Sequence, residues 1–382
     1  MPINVLPPAP APQSPLARYR LLSPTASIRV SPLCLGGMSL GDAWRDFMGS
    51  CDEKTTEEIL DYFFEQGGNF IDTSNNYQFE ESELRIGSWM KKRNNRDQMV
   101  IATKYTTCYQ AVDGQPPKQH ILVNYTGNGS KSMRVSAEAS LKKLQTDYID
   151  LLYVHWWDFS ASIPELMQSL NHLVASGKVL FLGVSDTPAW VVSKANEYAR
   201  CHGLRQFSVY QGRWSAADRD LERDIIPMSR AEGMALAPWG AVGGGKFKSE
   251  AERQTARKEG RAVEASPIEI QVSKALESVA KRRSTLVTSV ALAYVRAKAP
   301  YVFPIVGCRT VDHLKANIEA LNIKLSDDDI REIESAAPFE IGFPMNFYYS
   351  NNTIPDLLGS VRLLSMGGTI DHVPEPKPFA RE

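Results

Sequence analysis

The sequence predicts a (β/α)8 barrel, and two observations support this fold class. Short apolar or β-branched runs alternate with longer segments of helical periodicity from residue 31 to about residue 320. This alternation is typical of parallel strands joined by helices. It repeats eight times, and eight strand-helix units close most economically into a barrel. The 382 residues, 43% of them apolar, are enough for one such core.

Each predicted strand is a short run rich in branched or aromatic side chains, bounded by polar or turn residues. The predicted strands are Leu33–Leu35, Asn69–Ile71, Met99–Thr103, Ile149–Val154, Val179–Val184, Phe207–Tyr210, Met234–Ala237 and Tyr301–Val306. Ahead of them, Tyr19–Val30 predicts a hairpin, because Ser23-Pro24 supplies a turn between two apolar runs. We expect this hairpin to cover the bottom of the barrel.

Seven segments between these strands have the spacing of amphipathic helices. In the first of them, Ile59, Leu60 and Phe63 fall on one face. Gly67 and Gly68 then supply the signal that ends the helix. The predicted helices are Thr55–Gln66, Glu80–Lys92, Lys131–Gln145, Pro164–Ser176, Pro188–Cys201, Arg219–Glu232 and Val311–Leu321.

Three stretches interrupt the alternation, namely residues 105–130, 239–267 and 338–382. The first two follow predicted strand ends, so they are expected at the C-terminal face of the barrel, where barrel enzymes place their active sites. We expect the third, a tail, to fold over the same face. The predicted domain organisation is a flexible Pro-rich leader over residues 1–18, one barrel over 19–337 and the tail over 338–382.

Charge and cysteine content exclude several classes of protein. The 43 Lys and Arg residues balance 44 Asp and Glu residues, which argues against a nucleic-acid or anionic-membrane surface as the main partner. No apolar run approaches the ~20 residues needed to cross a bilayer. The five cysteines form no Cys-x-x-Cys pair and fit reduced thiols, so a cytoplasmic location is expected. The histidines show no metal-ligand spacing, and no metal site is predicted.

Polar residues directly follow the middle strands of the series. They are Asp72, Lys104, His155, Ser185-Asp186 and Gln211. Because the ends of parallel strands meet at one rim, these side chains are expected to converge, with Tyr77 close behind Asp72. Each alone has an ordinary explanation, such as helix capping by Asp72. Together, a carboxylate, a lysine and a histidine are costly to bury unless they pair, and paired titratable groups in a cleft indicate chemistry.

This set is suited to protonating a carbonyl oxygen while a hydride reaches the carbon. An ordinary tyrosine has a pKa near ~10, and the ammonium of Lys104 is expected to lower the pKa of Tyr77. Asp72 would keep Lys104 protonated, and His155 would share a substrate oxygen with Tyr77. A placed proton donor contributes about 10²–10⁴ in rate. No side chain supplies hydride, so a nicotinamide cofactor is implied.

The residues around these positions resemble the signatures of the aldo-keto reductases over about residues 19–325. The matching stretches are Asn69–Tyr77 with Ser82-Glu83 and Gly87, Ile101–Lys104, Asp147–His155, and Gly177–Ser185. The segments 19–24 and 30–36 resemble the fungal branch that contains norsolorinic acid reductase-like enzymes and aryl-alcohol dehydrogenases. The resemblance implies a catalytic tetrad of Asp72, Tyr77, Lys104 and His155. In it, Tyr77 is the general acid in reduction and the base in oxidation.

The resemblance also implies NADP(H) bound across the strand ends. It places Ser185, Asp186 and Gln211 near the carboxamide and Trp214 against the nicotinamide ring. The chain departs from the family at two of these positions, because members usually carry Asn in place of Asp186 and Tyr or Phe in place of Trp214. Asp186 adds a charge beside the carboxamide, whereas Trp214 offers a larger face.

For the adenosine end of the cofactor, the resemblance implies Gly307, Arg309 and Asn317. Helix-start amides and a guanidinium together form a sound receptor for a 2′-phosphate. The segment 240–246 fits G-x-x-x-x-G-K, but Phe247 stands where a phosphate-binding loop needs Ser or Thr for magnesium. Gly240, Gly245 and Lys246 are therefore predicted to wrap the cofactor diphosphate.

The predicted function is an NADPH-dependent reduction of aryl or polyketide-type aldehydes and ketones, or oxidation of the matching alcohols, in fungal secondary metabolism. Five tryptophans are expected near the mouth, Trp44 in the first βα loop and Trp156, Trp157, Trp214 and Trp239 after strand ends. They favour a flat aromatic substrate, although aromatic side chains also simply pack loops. The alternative is a cofactor-binding regulatory or redox-sensing subunit on the same barrel with negligible turnover. The complete tetrad favours the enzyme.

Overall fold

Ten strands form two sheets in the part of the chain that the computed structural model describes, residues 7–110, 121–258, 264–349, 361, 363–371 and 376–379. The strands are β1 (Arg20–Ser23), β2 (Ala26–Val30), β3 (Cys34–Gly36), β4 (Phe70–Asp72), β5 (Val100–Tyr105), β6 (Ile149–Val154), β7 (Val179–Ser185), β8 (Phe207–Arg213), β9 (Ala235–Trp239) and β10 (Ile305–Gly307). β1 and β2 pair antiparallel, and the other eight are parallel in the order β10-β3-β4-β5-β6-β7-β8-β9.

Helices surround this parallel sheet. They are α1 (Arg45–Met48), α2 (Glu53–Glu65), α3 (Glu81–Arg93), α4 (Ser130–Leu144), α5 (Ile163–Ala175), α6 (Ala189–Cys201), α7 (Ile225–Ala231), α8 (Glu250–Lys258), α9 (Pro267–Arg282), α10 (Val287–Lys298), α11 (Val311–Glu319), α12 (Asp327–Ser335) and α13 (Met345–Tyr348). Each of the seven predicted helices has a counterpart here. Within the described residues, no helix combines the length and apolar character needed to cross a bilayer.

A short parallel bridge completes the circle of strands between β9 and the residues that precede β10. The amide of Leu236 donates to the carbonyl of Tyr301 at 2.9 Å, and the amide of Phe303 donates to the carbonyl of Leu236 at 2.8 Å. β10 is shorter than the predicted run over residues 301–306, because Pro304 has no amide hydrogen to donate. The predicted (β/α)8 barrel is confirmed.

The β1–β2 hairpin covers the N-terminal ends of the barrel strands, as the sequence predicts. The hydroxyl of Thr25 in its turn donates to the carbonyl of Gly233, ahead of β9, at 3.0 Å. The amide of Ser31, just after β2, donates to Oδ1 of Asn69, ahead of β4, at 2.7 Å. These bonds tie the hairpin to opposite sides of the barrel floor.

Apolar side chains pack in two layers, one between strands and helices and one inside the barrel. Inside, Phe70, Tyr153 and Phe303 are all buried. Gly183 of β7 faces Tyr153, and a Cβ atom at this position would lie 2.4 Å from the tyrosine ring. The glycine therefore leaves the space that the phenol ring fills.

Two helices that precede β10, α9 and α10, are absent from the predicted set. Almost every residue of α10 from Val287 to Ala297 is buried, so this helix has no polar face to produce a helical hydrophobic period. The segment 239–267, treated as an interruption, contains α8. Both differences leave the number of barrel strands at the predicted eight.

The described parts of the tail lie at both ends of the barrel. The guanidinium of Arg223, near the C-terminal end of β8, donates to the carbonyl of Glu340 at 2.9 Å. Phe379 instead lies at the barrel floor, 4.4 Å below the guanidinium of Arg20. Residues 1–6 of the predicted leader and residues 350–360, 362, 372–375 and 380–382 of the tail lie outside the described residues. The tail's predicted cover over the active-site face stays a prediction.

Candidate active site

A buried lysine joins two of the strand-end residues at the C-terminal rim of the barrel. Nζ of Lys104, at the end of β5, lies 2.5 Å from Oδ1 of Asp72, at the end of β4. The same nitrogen donates to the hydroxyl of Tyr77 at 3.2 Å and to the carbonyl of Thr73 at 2.8 Å. Three acceptors thus satisfy the three hydrogens of one ammonium group. The structure brings together the carboxylate, phenol and ammonium that the sequence places at neighbouring strands.

This ammonium group is held charged in a site where water does not reach. Lys104 is 0% exposed. Burial lowers the pKa of Lys104, but the neighbouring Asp72 and Tyr77 outweigh burial and raise it overall. Burial raises the pKa of Asp72, and Lys104 and Gln211 oppose that rise. Asp72 and Lys104 therefore form a buried ion pair in which each group favours the charged form of the other.

The pKa of Tyr77 moves in the direction opposite to the sequence-based expectation. Burial raises the pKa of this phenol above its ordinary value of 10.0, and the charge of Lys104 opposes the rise without cancelling it. Burial of the phenol, which depends on the packing around Tyr77, outweighs the effect of the lysine charge. Tyr77 therefore carries its proton at neutral pH and is available as a proton donor.

His155 follows β6 and lies beside Tyr77, with ring centroids 6.0 Å apart in an edge arrangement. Its Nδ1 is 3.3 Å from the hydroxyl of Ser74. Burial and the charge of Lys104 lower the pKa of His155 to about 3. The imidazole is therefore neutral, and among the described residues its Nε2 makes no hydrogen bond, which leaves one ring nitrogen for a ligand.

This neutral histidine makes stability depend on pH. Its pKa is near 6.5 when unfolded and about 3 when folded, so the unfolded chain binds more protons between these values. We expect the free energy of unfolding to fall with decreasing pH, and His155→Gln to remove about 2 kcal/mol of the loss between pH 7 and pH 5. Urea unfolding at the two pH values measures this. His202→Gln, at an exposed histidine just after α6, is the control. An equal fall with and without His155 would contradict the assignment.

The turn that carries Tyr77 is held by residues that the sequence did not single out. Gln78, Phe79 and Glu80 all have positive φ, which is uncommon for residues other than glycine. The side chain of buried Gln78 accepts from the amide of Trp44 at 2.7 Å and donates to the carbonyl of Met38 at 2.9 Å. These bonds fix the turn against the loop that follows β3.

A second buried lysine supports the same turn from α4. Nζ of Lys143 donates to the carbonyl of Asn75 at 2.8 Å and pairs with Glu80 at 2.9 Å and Glu83 at 2.8 Å. Glu83 also accepts from the hydroxyl of Thr103 at 2.6 Å. Lys143 is one of several lysines on a helix, so its sequence context alone gives no signal of this role. The network orients the segment between Asp72 and α3.

The three residues predicted near the carboxamide lie at the ends of β7 and β8. Gln211 donates to Oδ2 of Asp72 at 2.9 Å, so it extends the tetrad network. The buried hydroxyl of Ser185 forms no hydrogen bond of normal geometry with the described residues. Asp186 has φ +40°, and burial of its carboxyl group raises the pKa, with the Trp239 side chain, the charge of Lys104 and the Ser185 side chain opposing the rise. A buried hydroxyl beside a solvent-exposed acidic residue is suited to bind a polar ligand group.

Trp214 is placed differently from the other predicted contacts. Its ring is 0% exposed, and its indole donates to Oε1 of Glu222 at 3.2 Å. Glu222 in turn pairs with Arg219 at 2.7 Å. Neither face of the indole is open here, so stacking on a nicotinamide ring would require this side chain to move.

The predicted diphosphate loop follows β9 and contains glycines in the left-handed region. Gly240 has φ +74°, and Gly245 has φ +86°. Lys246 does not extend freely, because its ammonium pairs with Glu269 of α9 at 2.8 Å. The loop lies at the same rim as the tetrad, with its backbone shaped by residues that lack a Cβ atom.

The predicted adenosine-end residues lie on and after β10. Gly307 ends this strand, and Asn317 is half-buried on α11. Arg309 is near the start of α11, and its guanidinium donates to the carbonyl of Met48 at 2.9 Å across the first βα loop. The hydroxyl of Thr310 caps the helix by accepting from the amide of His313. A helix start and a guanidinium therefore occur side by side.

Aromatic rings surround the mouth of the site. Trp44 lies 6.1 Å from the ring of Tyr77 in an edge arrangement. Trp156 and Trp239 are 36% and 38% exposed, whereas Trp157 is buried. Three of the five tryptophans predicted there therefore present apolar surface at or near the rim, whereas Trp157 and Trp214 are buried.

Comparisons with known proteins agree with this geometry. The model of the Aldo/keto reductase family matches residues 32–338. A norsolorinic acid reductase B of Dothistroma septosporum is 55% identical over 368 residues, which cover 94% of this chain and 93% of that protein. A norsolorinic acid reductase A of Aspergillus parasiticus is 52% identical over 384 residues, 98% and 96% of the two chains. An aryl-alcohol dehydrogenase of Pestalotiopsis microspora is 53% identical over 372 residues, 97% and 95% of the two chains.

Proposed function

The chain belongs to the aldo/keto reductase family, and from this we propose that it transfers hydride between NADP(H) and an aryl or polyketide-type aldehyde or ketone, or the matching alcohol. It is an oxidoreductase that acts on carbonyl and alcohol groups. The single observation that carries the finer proposal is the ammonium of Lys104 shared between Asp72 and the phenol of Tyr77. Relatives named for aryl alcohols and norsolorinic acid support the substrate class.

In the proposed reduction, Tyr77 donates the proton to the carbonyl oxygen. Lys104 already hydrogen-bonds the phenolic oxygen, so it stabilises the negative charge that develops there as the proton leaves. Asp72 keeps Lys104 charged throughout. His155, neutral and with Nε2 free, orients the substrate oxygen towards Tyr77. In oxidation the same groups act in reverse, with Tyr77 as the base.

The residues at the rim fit a nicotinamide cofactor. The hydroxyl of Ser185 is buried and forms no hydrogen bond of normal geometry with the described residues, so it is suited to bind a polar group of the cofactor. Ser185 and Asp186 would hold the carboxamide, the glycines at 240 and 245 would lie along the diphosphate, and Arg309 with the start of α11 would hold the 2′-phosphate. When bound, the cofactor supplies the hydride that no side chain can provide.

A substrate screen tests this proposal. Aryl aldehydes, aryl alcohols and anthraquinone-like ketones are assayed with NADPH and NADH by following nicotinamide absorbance, with an aliphatic aldehyde of similar size for comparison. We expect turnover within the usual enzyme range of ~1–10³ s⁻¹ on aromatic substrates with NADPH. Rates below about one per minute on every carbonyl, far under that range, would instead favour the regulatory alternative.

Arg309→Ala is expected to weaken NADPH binding by at least about tenfold, because a charge-assisted hydrogen bond to phosphate is lost. NADH lacks this phosphate, so its affinity is expected to change by less than about threefold. Quenching of nicotinamide fluorescence measures both. Arg331→Ala, at an exposed arginine on α12, is the matched control. Equal losses for the two cofactors would show that Arg309 acts only by holding the carbonyl of Met48.

A further inference from the structure

A cavity of about 710 Å³ lies at the floor of the barrel, at the opposite end from the tetrad. The β1 strand, the segment before β10 and tail residues 376–379 enclose it. Its cationic lining residues are Arg18, Arg20, Arg296, Lys324 and Lys377. No described carboxylate lines the cavity, so nothing among its described lining residues balances these positive charges.

Arg296 of α10 is the most informative of these residues, because it is only 4% exposed. Its Nη1 donates to the carbonyl of Ala320 at 3.3 Å, and its buried Nε has no partner among the described residues. No described carboxylate forms an ion pair with it. Burial, and then the charge of Arg20, lower the pKa of Arg296 to about 9. A buried guanidinium without an anion is costly, and bound anions normally relieve that cost.

Arg20 contributes a second guanidinium to the same cavity and also pairs with no described carboxylate. It lies 4.4 Å from the ring of Phe379, which places a cation against an aromatic face. Burial lowers the pKa of Arg20 to about 10. The two arginines are close enough to oppose each other's charge, so an anion between them would stabilise both.

The remaining lining is aromatic and apolar. Tyr19, Tyr301, Phe303 and Phe379 provide rings, and Pro32 and Pro300 provide flat apolar surface. The volume lies within the range of ~300–1,000 Å³ that small-molecule sites occupy. Flat apolar walls beside two guanidinium groups suit a ring that carries an acid group.

We propose that this floor cavity is a second binding site, which takes a small aromatic carboxylate between Arg20 and Arg296. The guanidinium of Arg296 binds the carboxylate, and the aromatic wall packs against the ring. The site is built from the hairpin, α10 and the tail, and it shares no residue with the tetrad. Ligand binding there is independent of catalysis at the opposite face.

Isothermal titration of the full chain, saturated with NADP⁺, tests the proposal with benzoate as the probe. We expect benzoate to bind the unaltered chain and Arg296→Met to bind it at least about tenfold more weakly, with carbonyl reduction unchanged. Arg20→Met, at a less buried position, is expected to act in the same direction, so a folding defect of one variant does not decide the test. Arg29→Met, at an exposed arginine on the same hairpin, is the control. Benzamide, which lacks the charge, is not expected to bind.

Several outcomes would overturn the site. Unchanged benzoate affinity in both variants would do so, as would benzamide binding as tightly as benzoate. Inorganic phosphate or cyclohexanecarboxylate binding as tightly as benzoate would remove the role of the aromatic wall. If benzoate bound only after residues 380–382 are deleted, an acidic group of that segment, and not a separate ligand, would be the occupant of the cavity. If benzoate competed with the aldehyde substrate, and did so equally well in Arg296→Met, its binding site would be the catalytic site.

Discussion

Tyr77→Phe is expected to lower kcat for carbonyl reduction by about 10²–10⁴, the contribution of a placed proton donor. The phenylalanine ring fills the same space but carries no proton for the carbonyl oxygen. Lys104 keeps two of its three acceptors, Asp72 and the carbonyl of Thr73, so the barrel should fold normally. Steady-state kinetics with an aryl aldehyde and NADPH measure the loss.

Cofactor binding separates this effect from a general defect at the site. Quenching of NADPH fluorescence should be the same in Tyr77→Phe and in the unaltered chain, because no cofactor contact is assigned to the hydroxyl. Tyr198→Phe removes a hydroxyl of the same kind from the exposed surface of α6 and should leave kcat within about twofold. Retained turnover in Tyr77→Phe would refute its role as the proton donor.

Asp72→Asn is expected to destabilise the fold by about 3–5 kcal/mol, because it leaves the buried ammonium of Lys104 without its counter-charge. Turnover should fall as well, because without Asp72 burial favours the neutral form of Lys104, and a neutral amine stabilises the phenolate of Tyr77 less than an ammonium does. Urea unfolding followed by circular dichroism measures the change in stability. The effect should exceed that of any single exposed ion pair by several-fold.

Two further variants show whether the loss of stability comes from the unpaired buried charge of Lys104. Glu58→Gln breaks the exposed pair between Lys54 and Glu58, and it should change the free energy of unfolding by less than about 1 kcal/mol. The double variant Asp72→Leu with Lys104→Met removes both charges and should regain most of the stability but none of the turnover. An Asp72→Asn variant as stable as the unaltered chain would show that Lys104 does not depend on this carboxylate.

The strand ends were predictable because a buried parallel strand is a continuous apolar run that stops where the side chains reach the rim. Ile149–Val154 has the same limits in the sequence and in the structure, and it delivers His155 to the site. β5 extends past the predicted Thr103 to Tyr105, because Lys104 and Tyr105 pair with residues of β6. That extension depends on a neighbouring strand, which a local pattern does not contain.

Other parts of the site depend on contacts between residues far apart in the chain. Lys143 reaches Asn75 across 68 positions, and only the packing of α4 reveals which lysine on this helix does so. The burial of Trp214 has a similar origin, because Glu222 binds its indole and is itself held by Arg219 and by Lys298 at 3.6 Å. Aromatic spacing after β8 predicts a ring near the rim, but not which way it faces.

Gly183 lies against the ring of Tyr153, thirty residues earlier in the chain, on the neighbouring barrel strand. A methyl group there would push the ring of Tyr153 inward, towards the ammonium of Lys104, which lies 5.9 Å from the ring centre. Substitutions at positions 183 and 153 are therefore coupled. In a descendant of this chain, an alanine at 183 leaves the surroundings of Lys104 undisturbed only when a smaller side chain replaces Tyr153.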